Sequence, residues 1–349
     1  MTSPIEDYAI IGDGRSAALI SRSGSLDWLC WPRFDSPSLF TAILDEDRGG
    51  RFSIAPVQPF RSERCYLGET NVLRTRFFAA RGELTLTDFM PVHGGIDARR
   101  SLHPGHEIVR NVRCGAGEVE VEIAFDPRPL YALLQPRIHQ LGKLGFRVEA
   151  GRGRLLTLLT DAPLGSDGRA RLRLRAGEEL HFSLVYADCA PATLPPPTAA
   201  RTALALEETF RVWRKWVAHT RYEGPGRDMV VRSALLLKLL QYAPSGAIVA
   251  APTTSLPERP GGDLNWDYRF CWLRDAALTA RALFGLGHTA EADNFMSWLL
   301  NATSLSLPKL RVLYDLYGRE PAPERELPYL AGYGGARPVR VGNAAMSQV

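Results

Sequence analysis

A proline-rich segment divides this chain into two stretches with different hydrophobic patterns. Residues 190–198 have the sequence Ala-Pro-Ala-Thr-Leu-Pro-Pro-Pro-Thr, with four prolines in nine positions. Proline lacks the backbone N–H group and fixes φ, so this segment cannot form a central strand or the interior of a helix. We therefore expect one domain at residues 1–190, a linker and helix lead-in at residues 191–202, and a second domain at residues 203–349.

The first stretch carries short runs of alternating apolar and polar residues, separated by turns that contain glycine. The run Val119–Phe125 alternates cleanly, as a strand with one buried face requires. Such runs predict three hairpins, which turn at Arg81–Gly82, at Gly151–Gly153 and at Ala176–Gly177. Many hairpins with one solvent-facing side each predict antiparallel sheets packed as a β-sandwich.

The second stretch has the periodicity of α-helices. We predict helices over residues 199–220, 227–242 and 274–286, and a fourth that begins at Thr289 and reaches about residue 302. The second of these helices is apolar on nearly all sides of its middle, which predicts that neighbouring elements enclose it. Helices in succession, joined by loops, predict a layered helical domain.

The overall composition excludes several functional classes. The 42 basic and 38 acidic residues give a net charge of only +4. Basic runs such as residues 171–175 alternate with leucine, which is typical of the exposed face of a strand and not of a nucleic-acid surface. The N-terminus has neither a basic nor an apolar signal region, and no window approaches about 18 uninterrupted apolar residues. We therefore expect a cytoplasmic protein without a nucleic-acid or membrane partner.

The cysteines give no indication of a disulfide framework or of a zinc site. Their number is odd and no C-x-x-C pair occurs, so we expect reduced thiols. The five are Cys30, Cys65, Cys114, Cys189 and Cys271.

A glycine pattern near the N-terminus imitates a dinucleotide-binding motif. Gly12, Gly14 and Ala17 follow a strand-like run in the order G-x-G-x-x-A. That motif requires a helix at the glycines, but another strand-like run begins at Leu26 and leaves no room for one. We therefore predict a hairpin turn at Gly12–Gly14 and no bound nucleotide.

The residues best suited to chemistry lie between Asn265 and Asp275. These eleven residues include two Trp, one Tyr, one Phe, two Arg and two Asp, just before a predicted helix. Aromatic rings can cover the apolar faces of a sugar, while aspartate accepts and arginine donates hydrogen bonds with hydroxyl groups. Composition alone leaves a second interpretation equally open, in which an Arg–Asp pair caps a helix over an aromatic core.

Three segments together resemble glycoside hydrolase family 15, the glucoamylase and trehalase group. Residues 265–275 resemble the family segment that ends in Trp-x-Arg-Asp and lines the innermost sugar subsite. Residues 330–345 resemble its G-x-R-P-x-R-x-G-x-A segment, and residues 8–40 resemble the N-terminal β-sandwich of bacterial members. The substrate-binding residues that this resemblance implies are Tyr268, Trp272, Arg274, Asp275 and Arg337.

The resemblance also implies a fold and a reaction. It implies an N-terminal antiparallel β-sandwich followed by the first part of an (α/α)6 barrel. It further implies hydrolysis of α-glucosidic bonds at non-reducing glucose ends, with inversion. Family members carry the general acid in a Trp-Glu pair after the Arg-Pro segment, and the base much later. None of the seven Trp residues here is followed by Glu, so we expect no catalytic residue within the chain and both glutamates beyond Val349.

The end of the chain leads to the same expectation. A last predicted helix begins near Gly342 and spans only about two turns before Val349, which is too short to be stable alone. We therefore expect a C-terminally truncated polypeptide whose barrel is incomplete.

Two further hypotheses remain open. One is a non-catalytic carbohydrate-binding protein, and the other is a complete enzyme that uses local carboxylates such as Asp263, Asp267 or Asp275. The expected partner is an α-linked glucose disaccharide or oligosaccharide, and no cofactor or metal is implied. The sequence does not distinguish trehalose, isomaltose and maltose linkages, nor does it indicate the oligomeric state.

Overall fold

The computed structural model describes residues 3–94, 103–142, 145–151, 153–188, 197–304 and 306–348. Up to residue 188, the described residues form a 14-stranded antiparallel network. Its strands are β1 (Tyr8–Gly12), β2 (Ala17–Ser21), β3 (Ser25–Cys30), β4 (Ser38–Phe40), β5 (Arg51–Pro56), β6 (Phe60–Tyr66), β7 (Leu73–Ala79), β8 (Gly82–Phe89), β9 (Glu107–Asp126), β10 (Ile138–Gln140), β11 (Phe146–Glu149), β12 (Leu155–Thr160), β13 (Arg169–Arg175) and β14 (Glu179–Ala187).

The longest strand, β9, connects two halves of this network. Its residues 107–113 pair with β14, and its residues 118–126 face β5 and β13. The strand bends between these parts at Gly117, which has a φ angle of +67°. A Cβ atom at this position would lie 2.0 Å from the carbonyl oxygen of Arg81, so the bend requires glycine.

The two halves pack face to face around a common hydrophobic core. The rings of Phe52 on β5 and Phe182 on β14 lie 5.8 Å apart, although their strands pair with opposite ends of β9. The buried Arg110 on β9 forms an ion pair with Asp88 on β8 at 2.7 Å. It also donates hydrogen bonds to the carbonyl oxygens of Phe52 and Gly24 in the other half. The β-rich antiparallel domain predicted from the alternating pattern is therefore confirmed.

Two of the three predicted hairpins are present, and the third is wrong. β7 pairs with β8 and β11 pairs with β12, as predicted. β13 pairs with residues 118–124 of β9, and β14 pairs with residues 107–113 of the same strand. The two strands therefore follow each other along β9 in the same direction and do not form a hairpin. Residues Ala176–Gly177 form a bend opposite Gly117 and not a hairpin turn. A glycine at this position is compatible with both conformations, so the sequence does not distinguish them. At Gly12–Gly14, β1 pairs with β2 and no helix follows, which confirms the predicted hairpin.

The described residues then form four α-helices, α1 (Ala199–Val217), α2 (Arg227–Leu239), α3 (Leu273–Gly285) and α4 (Thr289–Ser304). α1 begins after Thr198, whose side chain accepts a hydrogen bond from the backbone N–H of Arg201 at 3.3 Å. One side of α1 buries Ala205 against the β network, and its last turns pack Trp213 against α2. Residues 191–196, the first half of the predicted linker and helix lead-in, lie outside the described residues.

The second helix is less enclosed than its composition predicts. α2 buries Val231, but Met229 is 71% exposed and Leu236 is 36% exposed. α3 and α4 also expose apolar side chains, with Phe284 at 60% and Leu300 at 66%. The helices therefore present apolar surface that no described residue covers, and a pattern within one helix cannot reveal this.

Two short ladders and a single helical turn lie near the end of the chain. β15 (Cys271–Trp272) pairs with β16 (Leu313–Tyr314), and β17 (Arg325–Glu326) pairs with β18 (Arg340–Val341). A 3-10 helix over Ala344–Ser347 lies where the sequence predicts the start of a last helix. Among the described helices, none has both the length and the apolar character needed to cross a bilayer.

Candidate functional site

A buried ion pair fixes the segment Asn265–Asp275 against the β-rich part of the chain. Arg269 donates two hydrogen bonds to Asp267, from Nε at 2.8 Å and from Nη2 at 2.6 Å. Its Nη1 donates to the carbonyl oxygen of Ser36, and its Nη2 also donates to the hydroxyl of Tyr131, both at 2.9 Å. The two side chains of the pair are 1% and 0% exposed, so water does not compete with these bonds.

The charge of this arginine is secured by its surroundings. Burial alone would lower the pKa of Arg269, but Asp267 and then Tyr131 outweigh that effect and raise the pKa well above its usual value. The guanidinium group therefore stays charged, and the segment remains attached to the β part by an ionised, fully hydrogen-bonded group.

The aspartate of the pair also joins this segment to the loop at residues 338–343. The backbone N–H of Gly342 donates to Asp267 Oδ2 at 3.0 Å, and Asn343 Nδ2 donates to the Asp267 carbonyl oxygen at 3.1 Å. Asn265 Nδ2 donates to the carbonyl oxygen of Pro338 at 3.2 Å. The two segments that the sequence singles out are thus brought together by hydrogen bonds.

An open cleft of about 360 Å³ lies where these segments meet. The rings of Tyr268 and Trp272 have centroids 6.1 Å apart and are tilted by 48° to each other. The guanidinium of Arg274 lies 5.9 Å from the centroid of the Trp272 ring. The cleft therefore combines aromatic surface with a cation, which suits a ligand with apolar faces and polar edges. Its lining includes Trp266, Tyr268, Trp272, Arg274, Asn343 and Gln348.

Two buried polar atoms at this end of the segment form no hydrogen bond with a described residue. They are Trp272 Nε1 and Asp275 Oδ2. Arg274 Nη2 lies 3.1 Å from Asp275 Oδ2, close enough for an ion pair but not aligned as a hydrogen-bond donor. Asp275 lies in the first turn of α3, where the helix dipole favours a carboxylate. Because a buried polar atom without a hydrogen bond is costly, these atoms are suited to bind the hydroxyl groups of a ligand.

The hydroxyl of Tyr268 contributes a donor to the wall of the cleft. It donates to Glu258 Oε1 at 3.4 Å, which is a long hydrogen bond. Burial, followed by the negative charge of Glu258, raises the pKa of Tyr268. The phenol therefore keeps its proton at neutral pH and can donate to a ligand if the long bond opens.

Comparison with known proteins identifies the family. Residues 224–349 match the family model of the glycosyl hydrolases family 15, and residues 1–158 match the model of the trehalase-like N-terminal region. The chain belongs to glycosyl hydrolase family 15. Every residue that lines the cleft falls within the matched range 224–349 of this family-15 chain.

Relatives of this family-15 chain include curated trehalases. The trehalase of Mycobacterium tuberculosis is 36% identical over 369 residues, which cover 99% of this chain and 54% of that protein. The trehalase of Thermoplasma acidophilum is 36% identical over 335 residues, which cover 95% and 56%. Trehalase 1 of Sulfolobus acidocaldarius is 38% identical over 353 residues, which cover 99% and 57%. The chain therefore spans little more than half the length of these relatives.

Not all of the predicted binding residues of this family-15 chain lie at the cleft. Tyr268, Trp272 and Arg274 line the cleft, and Asp275 adjoins Arg274 at the start of α3. Arg337 is exposed and is not among the residues that line the cleft. Four of the five predicted residues are therefore clustered, and the fifth does not line the cleft.

Some site residues were not predicted from the sequence. Trp266 lines the cleft with the guanidinium of Arg340 4.5 Å from its ring centroid, and Asn343 contributes from the second segment. Both belong to segments that the sequence singles out, but which of their side chains face the cleft depends on tertiary structure. Asp267 is a candidate in the local-carboxylate hypothesis. Its side chain is 0% exposed and accepts hydrogen bonds from Arg269, so it is not accessible to a substrate.

Proposed function

We propose that this chain contributes to an enzyme that hydrolyses α-glucosidic bonds, and that its cleft holds the glucose ring at the non-reducing end. The proposal rests on the aromatic wall of Tyr268 and Trp272 beside an Arg–Asp pair, in which one carboxylate oxygen forms no hydrogen bond with a described residue. Aromatic rings match the apolar faces of a pyranose, and unpaired polar atoms match its hydroxyl groups. Membership of family 15 supports the same class of reaction.

Each residue of the predicted binding set has its own proposed role. Tyr268 and Trp272 pack on the sugar ring and exclude water from it. Arg274 donates to hydroxyl oxygens through its planar fork, and Asp275 accepts from a hydroxyl through Oδ2. Arg337 remains in the proposed set on the resemblance of its segment alone.

We propose that the reaction inverts the anomeric carbon, with a general acid and a general base supplied by glutamates beyond Val349. Such a pair needs two carboxyl groups about 6.5–9.5 Å apart with a water between them. Among the described residues that line the cleft, none is an aspartate or a glutamate. The absence of a Trp-Glu pair from the chain supports the same placement.

We propose that α1–α4 are the first helices of an (α/α)6 barrel, and that the two domains and the linker between them have the boundaries given by the sequence. The supporting observation is the apolar surface on α2, α3 and α4, including Met229, Phe284 and Leu300, which no described residue covers. Apolar patches of this kind mark surfaces that are buried by another element.

Trehalose is the first substrate to test, because the three curated relatives described above are trehalases. The decisive experiment compares the 349-residue chain with a version extended through the downstream reading frame. Glucose release is measured from trehalose, isomaltose, maltose and maltotriose. We expect release by the extended protein only, with trehalose as the preferred substrate.

Other outcomes of this experiment would change the proposal in definite ways. Turnover by the 349-residue chain alone would refute the placement of the acid and base beyond Val349. Saturable trehalose binding by the extended protein without any release would refute hydrolysis and favour a carbohydrate-binding protein. A preference for maltose would keep the reaction class and change the linkage.

A further inference from the structure

A second group of ligating side chains lies outside the cleft, at the junction of the β network with α1. His93 follows β8, His103 precedes β9, and Glu208 lies on α1. Their candidate ligand atoms all lie within 4.8 Å of one another. His93 Nδ1 is 3.0 Å from Glu208 Oε2, and the two imidazole rings stack with centroids 3.6 Å apart.

Neighbouring hydrogen bonds hold part of this group in place. The backbone N–H of Val92 donates to the hydroxyl of Thr209 at 3.3 Å, which attaches the chain beside His93 to α1. The same hydroxyl donates to the carbonyl oxygen of Ala205, one turn earlier on the helix, at 2.7 Å. These hydrogen bonds fix the backbone next to His93 relative to the helix that carries Glu208, and so hold the two side chains close together.

One oxygen of the glutamate is left without a hydrogen bond. Glu208 Oε1 is buried, and Arg211 Nη2 lies 3.7 Å from it, beyond hydrogen-bond distance. A simple His–Glu contact satisfies only Oε2. The second oxygen has only this long contact with Arg211, so it retains the capacity to coordinate a bound cation.

Two arginines lie near this group. Arg201 forms an ion pair with Glu107 at 2.7 Å, and Arg211 Nη2 lies 3.7 Å from Glu208 Oε1.

We propose that His93, His103 and Glu208 form a binding site for a divalent transition-metal ion of the zinc class. Two imidazole nitrogens and one carboxylate oxygen suit Zn²⁺ and Co²⁺ better than Mg²⁺ or Ca²⁺, which prefer oxygen ligands. A cavity of about 820 Å³ beside His103 and Glu208 gives the ion a route of entry and room for a water as fourth ligand.

The stacked rings impose one structural requirement on this site. Because their planes are only 20° from parallel, their nitrogen lone pairs do not converge on one point. Metal binding therefore turns one imidazole about its Cβ–Cγ bond and breaks the stack. The bound ion ties the chain on both sides of residues 95–102 to α1, so it stabilises the contact between the β network and the helix.

The test uses the untagged 349-residue chain and does not depend on catalytic activity. All proteins carry Cys65→Ser, because the exposed Cys65 thiol is a competing zinc ligand. Zn²⁺ binding is measured by titration calorimetry, and Co²⁺ binding by visible absorbance. We expect one ion per chain, and we expect His103→Gln and Glu208→Gln each to weaken Zn²⁺ binding by about tenfold or more. The control His139→Gln, which removes an exposed imidazole elsewhere, leaves the affinity unchanged.

The proposal has clear ways to fail. It is overturned if the chain takes up no Zn²⁺ in excess of the His93→Gln/His103→Gln double variant, or if His103→Gln binds as tightly as the parent. Circular dichroism of each variant establishes that a lost affinity does not reflect unfolding. Mg²⁺ provides a further check, because an excess of Mg²⁺ that displaced Zn²⁺ would contradict the nitrogen ligands.

Discussion

Two arginine–aspartate pairs lie in the same eleven-residue segment, yet the structure gives them opposite environments. The inner pair, Asp267 and Arg269, is 0% and 1% exposed, and its hydrogen bonds reach the β network and the loop at Gly342. The outer pair, Arg274 and Asp275, is 74% and 38% exposed, and Asp275 Oδ2 forms no hydrogen bond with a described residue. Residue type alone therefore does not separate a buried structural pair from an exposed pair that we propose to bind a ligand, whereas burial and the number of hydrogen bonds do.

Breaking the inner pair should have the largest effect on stability. Arg269→Met leaves the buried Asp267 carboxylate without its cation, which costs about 3–5 kcal/mol in the free energy of unfolding. Urea denaturation of the 349-residue chain measures this change. The matched control is Arg274→Met in the exposed pair, which should cost no more than about 1 kcal/mol. Equal losses in the two variants would contradict the distinction between the pairs.

A double-mutant cycle measures how strongly the two side chains of the inner pair depend on each other. Asp267→Asn combined with Arg269→Met removes both charges, so the double variant should lose less stability than the sum of the single variants. The coupling should amount to about 0.5–3 kcal/mol, as for residues in one hydrogen-bonded network. Strict additivity would mean that the two side chains act separately, and that Ser36 and Tyr131 account for the role of Arg269.

The outer pair should show the reverse behaviour, with a loss of activity and little loss of stability. Arg274→Lys keeps the charge but removes the planar fork, so kcat/KM of the extended protein for trehalose should fall about 10- to 100-fold, or about 1.4–2.8 kcal/mol. The melting temperature should stay the same. Arg337→Lys tests the remaining residue of the proposed set, and we expect a smaller loss there because Arg337 is exposed and does not line the cleft. A comparable loss at Arg337 would show that the sugar extends beyond the described cleft.

Acid tests whether the stability also depends on a group outside the two pairs. Burial lowers the pKa of His288; Glu291 opposes this effect, whereas His219 and Lys238 add to it. The imidazole shares a hydrogen bond of 2.9 Å with Thr220. The unfolded chain then binds more protons than the folded chain below its ordinary pKa of 6.5. Stability that is present above that pH is therefore lost as the pH falls. Urea midpoints between about pH 7 and about pH 5 should decrease, and His288→Gln should reduce the decrease.

The sequence predicted those features that depend on local pattern. Alternation of apolar residues predicted the β-rich half, and helical periodicity predicted α1–α4 to within a few residues. The aromatic segment at residues 265–275 also contains most of the cleft, because Trp266, Tyr268, Trp272 and Arg274 are close in the chain. Local chemistry is sufficient for features of this kind.

Long-range partners could not be predicted in this way. Arg269 acts through Ser36 and Tyr131, which are 233 and 138 positions away, and nothing in its own neighbourhood indicates them. The same limit explains the wrong hairpin at Ala176–Gly177, where the choice of β9 as partner decides the strand path. Asp267 was a catalytic candidate for the same reason, because its burial is a tertiary property.

The smallest effect should come from the hydroxyl of Tyr268, since its bond to Glu258 is long at 3.4 Å. Tyr268→Phe keeps the ring against Trp272, so the free energy of unfolding should change by less than about 0.5 kcal/mol. In the extended protein, kcat/KM for trehalose should fall much less than in Tyr268→Ala, which removes the aromatic wall. If the two variants lost activity equally, the hydroxyl and not the ring would be the binding group. Tyr268 would then resemble Asp275, as a polar contact, more than it resembles Trp272.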